Sequence, residues 1–257
     1  MGEILDPTDR AKDAAARRAL ELVEDGMDLG LGTGSTAVFM VRRLGRMVRE
    51  DGLRVRAVAT STRTAELARS CGVDVTTLDE VPQLDLTLDG ADEFDPALNL
   101  IKGAGGALLR EKIVAAASDR MVVMADASKA VATLGAFTLP VEVVPFGARA
   151  TEEAIRTALA TLDVDGREMT WRQDGAERFR TDEGNLILDL DLGRIGDAPA
   201  VSRTLLAIPG VVETGLFLGL CDAVVIGASD GSAELRRAGK SPRAGATGDG
   251  VHAGIAG

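Results

Sequence analysis

At 257 residues and a net charge of −11, the chain is long enough for one large domain, or one domain with an insertion, and its field repels nucleic-acid backbones and anionic lipid. Its two cysteines, Cys71 and Cys221, stand far apart without a CxxC spacing, which argues against a disulfide framework or a thiolate zinc site and fits a reducing cytoplasm. The acidic start MGEILDP lacks the apolar run of a signal peptide, Asp6 stands where a myristoylation pattern needs Ser or Thr, and no stretch is long and apolar enough for a bilayer span, so a soluble cytoplasmic protein is expected.

Asp6-Pro7 reads as a helix N-cap followed by proline in the first turn, opening a helix that should run to about Val23 and carry Lys12. A short apolar strand, the glycine turn GLGTGST and a helix with Val38, Val41, Leu44 and Val48 at helical spacing come next. The unit repeats as a strand near 54–59, the hydroxyl turn Thr60-Ser61-Thr62 and another helix. After the short strand VDVTTL, one strand ends at Leu88, a helix starts near Gly106, and another strand ends near Ala125. Such alternation predicts an α/β fold, a mostly parallel sheet with helices on both faces.

From about Phe137 the texture changes. TLPVEVVPF, the helix TEEAIRTALATL, hairpin-like segments with turn signals at Asp174-Gly175 and Glu183-Gly184-Asn185, and a helix around 198–207 predict a small α+β unit of antiparallel strands. CDAVVIGAS then returns to the main sheet. Four segments are therefore expected: 1–137 and 208–239 for the main domain, 138–207 for the insertion, and 240–257 as a Gly/Ala-rich disordered tail, where His252, the single histidine, has no expected role.

The loop at 30–36 follows a strand and opens a helix, where backbone N–H groups and the helix dipole favour an anion. Ser35 replaces the third glycine of a dinucleotide fingerprint and no Gly-Lys pair makes a Walker loop, leaving a smaller cradle of Thr33, Gly34, Ser35 and Thr36 suited to one phosphate. A plain strand-to-helix turn accounts for this loop equally well when it is taken alone. Asp89 and Asp92 follow a strand, as do the glycine loop, the hydroxyl turn and Lys129, and open α/β sheets place ligands at that rim.

In KGAGGALLREK, Lys102 precedes glycines whose amides open the helix carrying Glu111, so a base, a cation and oxyanion donors come from one segment. Those groups suit removal of a proton from the carbon beside a carbonyl of a sugar phosphate and stabilisation of the resulting enediolate, with no metal or cofactor required. The closeness of Asp89 and Asp92 in sequence predicts like-charge coupling that raises one of them. Two further readings stay open on the residues alone: a non-catalytic sugar-phosphate sensor, and a coenzyme A transferase in which Glu111 would attack a thioester.

The motifs GTGST at 32–36, DGADE at 89–93, KGAGGALLREK at 102–112, DASK at 126–129, LPVEVVPF at 139–146 and IPGVVETGLF at 208–217, in this order, resemble the type A family of ribose-5-phosphate isomerases, from about Lys12 to Gly231. The resemblance implies interconversion of D-ribose 5-phosphate and D-ribulose 5-phosphate through a cis-enediolate in the non-oxidative pentose phosphate pathway. It implies that Glu111 shuttles the proton between C1 and C2, that Asp89 serves hydroxyl protons and ring opening, and that Asp92 and Lys102 position and polarise the oxygens with amides of Gly103, Ala104 and Gly105. The phosphate would lie on Thr33, Gly34, Ser35 and Thr36, with Lys129 and Lys12. A Rossmann-like main domain, a ferredoxin-like insertion and a homodimer or homotetramer are further implications. Two departures stand out: Ala104 interrupts the usual run of three glycines, and Leu109 replaces a commoner polar residue.

Overall fold

The computed structural model describes residues 6–237 and 239. The expectations for residues 240–257, His252 included, lie outside the described residues.

Helix α1 (Pro7–Leu20) starts as predicted: the Asp6 side chain accepts from the Asp9 N–H and Pro7 sits in the first turn. It stops short of Val23 because the chain tightens, with Leu22 donating to the Ala19 carbonyl and Val23 to that of Leu20. Strand β1 (Asp28–Leu31), α2 (Ser35–Glu50), β2 (Arg56–Ala59), α3 (Thr62–Ser70) and β3 (Asp74–Val75) follow. Then come β4 (Leu86–Gly90), the short β5 (Glu93–Phe94) and β6 (Leu100–Ile101), α4 (Leu108–Ala116) and β7 (Met121–Asp126). The buried face of α2 is Ala37, Met40, Val41 and Leu44, while Val38 and Val48 are half-buried, so the apolar stripe is centred slightly off the predicted valines.

The second half comprises β8 (Leu139–Val143), α5 (Ala148–Leu159), β9 (Glu168–Trp171), the hairpin β10 (Gln173–Asp174) and β11 (Glu177–Arg178), β12 (Leu186–Asp191), α6 (Ala198–Leu206), β13 (Val211–Thr214), β14 (Leu216–Phe217), β15 (Ala223–Gly227) and β16 (Ala233–Arg237). The hairpin turns at Asp174-Gly175 as its sequence predicts.

The main sheet has the order β16-β15-β7-β4-β1-β2-β3 and is parallel except for β16. From β1 the chain winds outward to β3, then returns beside β1 with β4 and winds the other way, which is the Rossmann-like arrangement. Its switch point lies between β1 and β4, and a crevice opens there beyond their carboxyl ends. β7 reads as one apolar run because both its faces are covered. Val122 and Met124 pack with Leu29, Leu88, Met40 and Ala15, while Met121, Val123 and Ala125 pack with Phe94, Ala115 and Phe217 on the other face. Each fully buried Val, Leu, Met or Phe side chain among them contributes about 1.5–3 kcal/mol.

The small unit forms a four-stranded sheet in the order β13-β8-β12-β9, every neighbouring pair antiparallel. With α5 after β8 and α6 after β12, the succession β-α-β-β-α-β is ferredoxin-like. Strand β13 comes after residue 207 in the chain and belongs to this sheet. A third sheet, β14-β6-β5, joins the two units and delivers Lys102, the residue after β6. Among the described residues no helix is long and apolar enough to cross a membrane.

Candidate active site

At the switch point, Asp89 is the penultimate residue of β4, beside the loop that leaves β1. Gly32 makes this approach possible, because a β-carbon there would lie 1.9 Å from the Asp89 carboxylate. Asp89 Oδ1 accepts from the Thr33 N–H at 3.2 Å and the Gly90 N–H at 2.7 Å. Lys102 reaches the same point from β6, its backbone N–H bonded to the Gly215 carbonyl. Its Nζ donates to the Gly90 carbonyl at 2.6 Å and lies 2.9 Å from Asp89 Oδ2 and 3.4 Å from Glu111 Oε1. The Asp89 contact is a close ion pair without hydrogen-bond geometry, so Oδ2 keeps no hydrogen-bond partner, and neither does Glu111 Oε2. The side chains are almost sealed from water: Asp89 is 0 %, Lys102 2 % and Glu111 3 % exposed.

Two carboxyls thus share one ammonium in a dry site. Burial pushes Glu111 up to about 8, the nearby Asp89 charge pushes the same way, and Lys102 opposes them only in part. Asp89 is also raised, again by burial, with Lys102 and the Gly90 and Thr33 amides pulling it down. Burial alone would depress Lys102, yet Asp89 and Glu111 hold it above the ordinary lysine value, so it stays an ammonium. The like-charge effect falls on Glu111, outside the predicted Asp89–Asp92 pair: of the two charges Asp89 raises it most and Asp92 raises it further, whereas the rise of Asp89 itself comes from burial. Asp92 itself accepts from the Ala104 N–H at 2.9 Å.

Above this pair opens a cavity of about 310 Å³. Lys12, Thr33, Gly34, Ser35, Thr36, Asp92, Lys102, Gly103, Ala104, Gly105, Glu111 and Lys129 all line it. The fold thus brings together every candidate catalytic and substrate-binding residue named for the isomerase reading except Asp89, which lies beneath the lining. Helix α2 points its N-terminus at this cavity with Gly34 as N-cap and no side-chain cap, so its first amides remain available to an anion. Thr33 departs from expectation. Its N–H is held by Asp89, and its hydroxyl lies 2.7 Å from that of Thr60, 2.9 Å from Ser61 and 3.2 Å from Thr64. This buried hydroxyl cluster fixes the loop and leaves Ser35 and Thr36 to offer hydroxyls to the cavity. Lys129, in the turn after β7, has no hydrogen-bond or ion-pair partner among the described residues, whereas Lys12 pairs with Asp9 at 3.2 Å. The Gly103-Ala104-Gly105 departure is tolerated because Gly103, at φ 111°, takes the left-handed conformation and Ala104 does not.

Several contributors escape the sequence motifs. The Phe217 ring lies between Lys102 and Lys112, 5.5 and 4.9 Å from their ammonium groups. Arg172 donates from the insertion to the carbonyls of Gly103 and Ala104. Asp182 accepts from both the N–H and the hydroxyl of Thr62, which seats the insertion on the start of α3. Only the TGLF motif carried a signal for any of these, since it places an aromatic side chain on a strand next to the glycine that meets Lys102.

The family described as ribose 5-phosphate isomerase A (phosphoriboisomerase A) matches residues 56–231. A ribose-5-phosphate isomerase A of Jannaschia sp. is 63 % identical over 232 residues, covering 90 % of this chain and 88 % of the relative. The solved structure of ribose 5-phosphate isomerase A from Methanocaldococcus jannaschii superposes with a TM-score of 0.82 at 37 % identity, covering 89 % of this chain and 99 % of the other. A D-ribose-5-phosphate isomerase solved in complex with phospho-erythronic acid gives a TM-score of 0.83 at 33 % identity, covering 90 % and 99 %. A shared fold, a match over most of the length and a relative nearly two-thirds identical lead to one conclusion: the chain belongs to the ribose-5-phosphate isomerase A family.

Proposed function

We propose that Glu111 carries the proton between C1 and C2 as D-ribose 5-phosphate and D-ribulose 5-phosphate interconvert, the reaction of the family to which the chain belongs. The observation that carries the assignment is a buried carboxyl with one unpartnered oxygen, lining a cavity beside an ammonium, its proton affinity raised to about 8. A base with that affinity can both take and return a proton near neutral pH.

With the aldehyde open, Glu111 removes the C2 proton and the electron pair moves toward O1. The Lys102 ammonium and the amides of Gly103 and Gly105 meet the charge that develops on the oxygens, the Ala104 amide being held by Asp92. A proton passes from O2 to O1, and Glu111 returns its own to C1, giving the ketose. Asp89 serves hydroxyl protons and ring opening from beneath the cavity lining, beside the Lys102 ammonium that lies against both carboxyls. Asp92, held by the Ala104 amide, orients the sugar hydroxyls. The phosphate rests on the first amides of α2 and the Ser35 and Thr36 hydroxyls, with Lys129 and Lys12 supplying charge that an overall −11 protein otherwise lacks. The relative solved in complex with phospho-erythronic acid supports a phosphorylated ligand for such a site, because that molecule pairs a phosphate with a carboxylate resembling an enediolate.

The conversion itself is the test. Purified protein given ribose 5-phosphate is expected to form ribulose 5-phosphate, and no turnover would remove the reading. Lys129→Ala is expected to raise KM about tenfold or more with a smaller change in kcat, as loss of a charge-assisted phosphate contact does; an unchanged KM would take Lys129 out of the site.

Three finer features belong to the same proposal. The small unit is taken as Leu139–Thr214, since β13 completes its sheet, with the remaining described residues forming the main domain. The chain works as a homodimer or homotetramer in the cytoplasm. Phe146, 93 % exposed on the insertion with Val144 and Leu206 also exposed, supports association with a second copy, and a monomer by sedimentation would end that part.

A further inference from the structure

We propose that Arg172, on the inserted domain, is a positioning residue that sets the orientation of two successive peptide planes in the 103–105 loop and so governs kcat. The inference deepens the isomerase reading, on which it rests.

Arg172 directly follows β9, and its N–H donates to the Ile187 carbonyl of β12. Its guanidinium is turned by Asp189, two residues further along β12, which accepts from Nε at 2.9 Å and Nη2 at 2.5 Å. That fork leaves Nη1 aimed across the domain boundary, where it donates to the Gly103 carbonyl at 2.7 Å and the Ala104 carbonyl at 3.0 Å. The Phe179 ring lies 5.9 Å from the guanidinium and also packs on Gly106, where a β-carbon would come within 2.4 Å of it.

A trans peptide is planar, with its C=O and following N–H pointing in opposite directions. Drawing the Gly103 carbonyl back to Arg172 therefore sends the Ala104 N–H forward, and that N–H is the one bonded to Asp92. Drawing back the Ala104 carbonyl sends the Gly105 N–H forward in the same way, from a residue that lines the cavity. One cation on two carbonyls also polarises both amides, which strengthens their donor ends. The need is physical: apart from one turn bond from the Gly106 N–H to the Gly103 carbonyl at 3.0 Å, the glycines at 103, 105 and 106 leave this loop with little conformational preference, and donors to a developing oxyanion help only when fixed beforehand. Lysine is no substitute, because one ammonium cannot hold the fork on Asp189 and reach both carbonyls.

The test is Arg172→Ala and Arg172→Lys in the ribose 5-phosphate assay, with melting temperature followed in parallel. Both are expected to lower kcat by about 10- to 100-fold, part of the effect of losing an oxyanion donor outright, while KM changes less than about threefold. Dilute, non-denaturing guanidinium is expected to restore kcat of the alanine variant without raising its melting temperature, whereas methylammonium is not. Unchanged kcat, or a loss that tracks unfolding and ignores guanidinium, overturns the proposal. Wild-type turnover in the same plate tests the underlying isomerase reading, so the two fail separately.

Discussion

Glu111→Gln is expected to retain ribose 5-phosphate binding while losing about 10²- to 10⁴-fold in kcat, the range assigned to a positioned general base. Solvent deuterium should cease to enter C1 or C2 of the sugar, which separates loss of the proton carrier from loss of substrate. Exchange at a near wild-type rate would exclude Glu111 as the base. In the wild type, the base must be ionised, so log(kcat/KM) should climb with pH through an apparent value near 8 and level off above it. That value belongs to the Asp89–Glu111 set bridged by Lys102, since neither carboxyl titrates without the other.

Stability is expected to run the opposite way. The folded proton affinity of Glu111, about 8, exceeds its ordinary value of 4.5, so the native state binds the extra proton between these limits. This group's stabilising contribution is complete below about 4.5 and is lost as pH rises through about 8. Glu111→Gln removes the dependence, so its melting temperature should overtake that of the wild type as pH is raised from 5 to 9. Parallel melting curves for the two proteins across that range would contradict the burial-driven shift.

Lys102→Met is expected to be the most damaging change to both catalysis and folding. Its ammonium touches Asp89, Glu111 and the Gly90 carbonyl in a site where it is only 2 % exposed. Removing one member of a buried ion cluster costs about 3–5 kcal/mol because the remaining charges are uncompensated. The loss should shrink at pH 5, where the two orphaned carboxyls can take up protons, and denaturant midpoints at pH 5 and 8 measure the difference. Turnover should fall by about 10²- to 10³-fold or more, since the cation facing the developing oxygen charge has gone. A variant with kcat within a few-fold of wild type would show that the amides suffice and that Lys102 serves the fold alone.

Much of this site is legible along the chain because a parallel sheet imposes its own geometry. When strands alternate with helices, every strand points the same way, and residues just after them meet at one rim. That is why GTGST, DGADE, the hydroxyl turn and DASK converge, and why Lys102 and Glu111, nine residues apart on either side of a glycine loop, face the same cavity. The antiparallel α+β character of the insertion was readable for a similar reason: its strands alternate and its turns carry Asp-Gly and Gly-Asn.

Other features have no signature in local spacing. Thr33 looks like a ligand for an anion, yet its hydroxyl belongs to the Thr60-Ser61-Thr64 cluster because β1 and β2 are neighbours in the sheet. Arg172 reaches the catalytic loop from 69 residues away, and only the docking of the insertion brings it there. Asp92 is nearer than Glu111 to Asp89 in sequence, but the strongest like-charge coupling skips it. The amino-acid order by itself determined which acids, cations and amides gather at the sheet's carboxyl edge, because strand direction follows from the alternating pattern. Which carboxyl keeps a proton, which hydroxyl turns inward and which arginine steadies the loop were decided by the tertiary structure alone, because burial and through-space distance set proton affinity and hydrogen bonding.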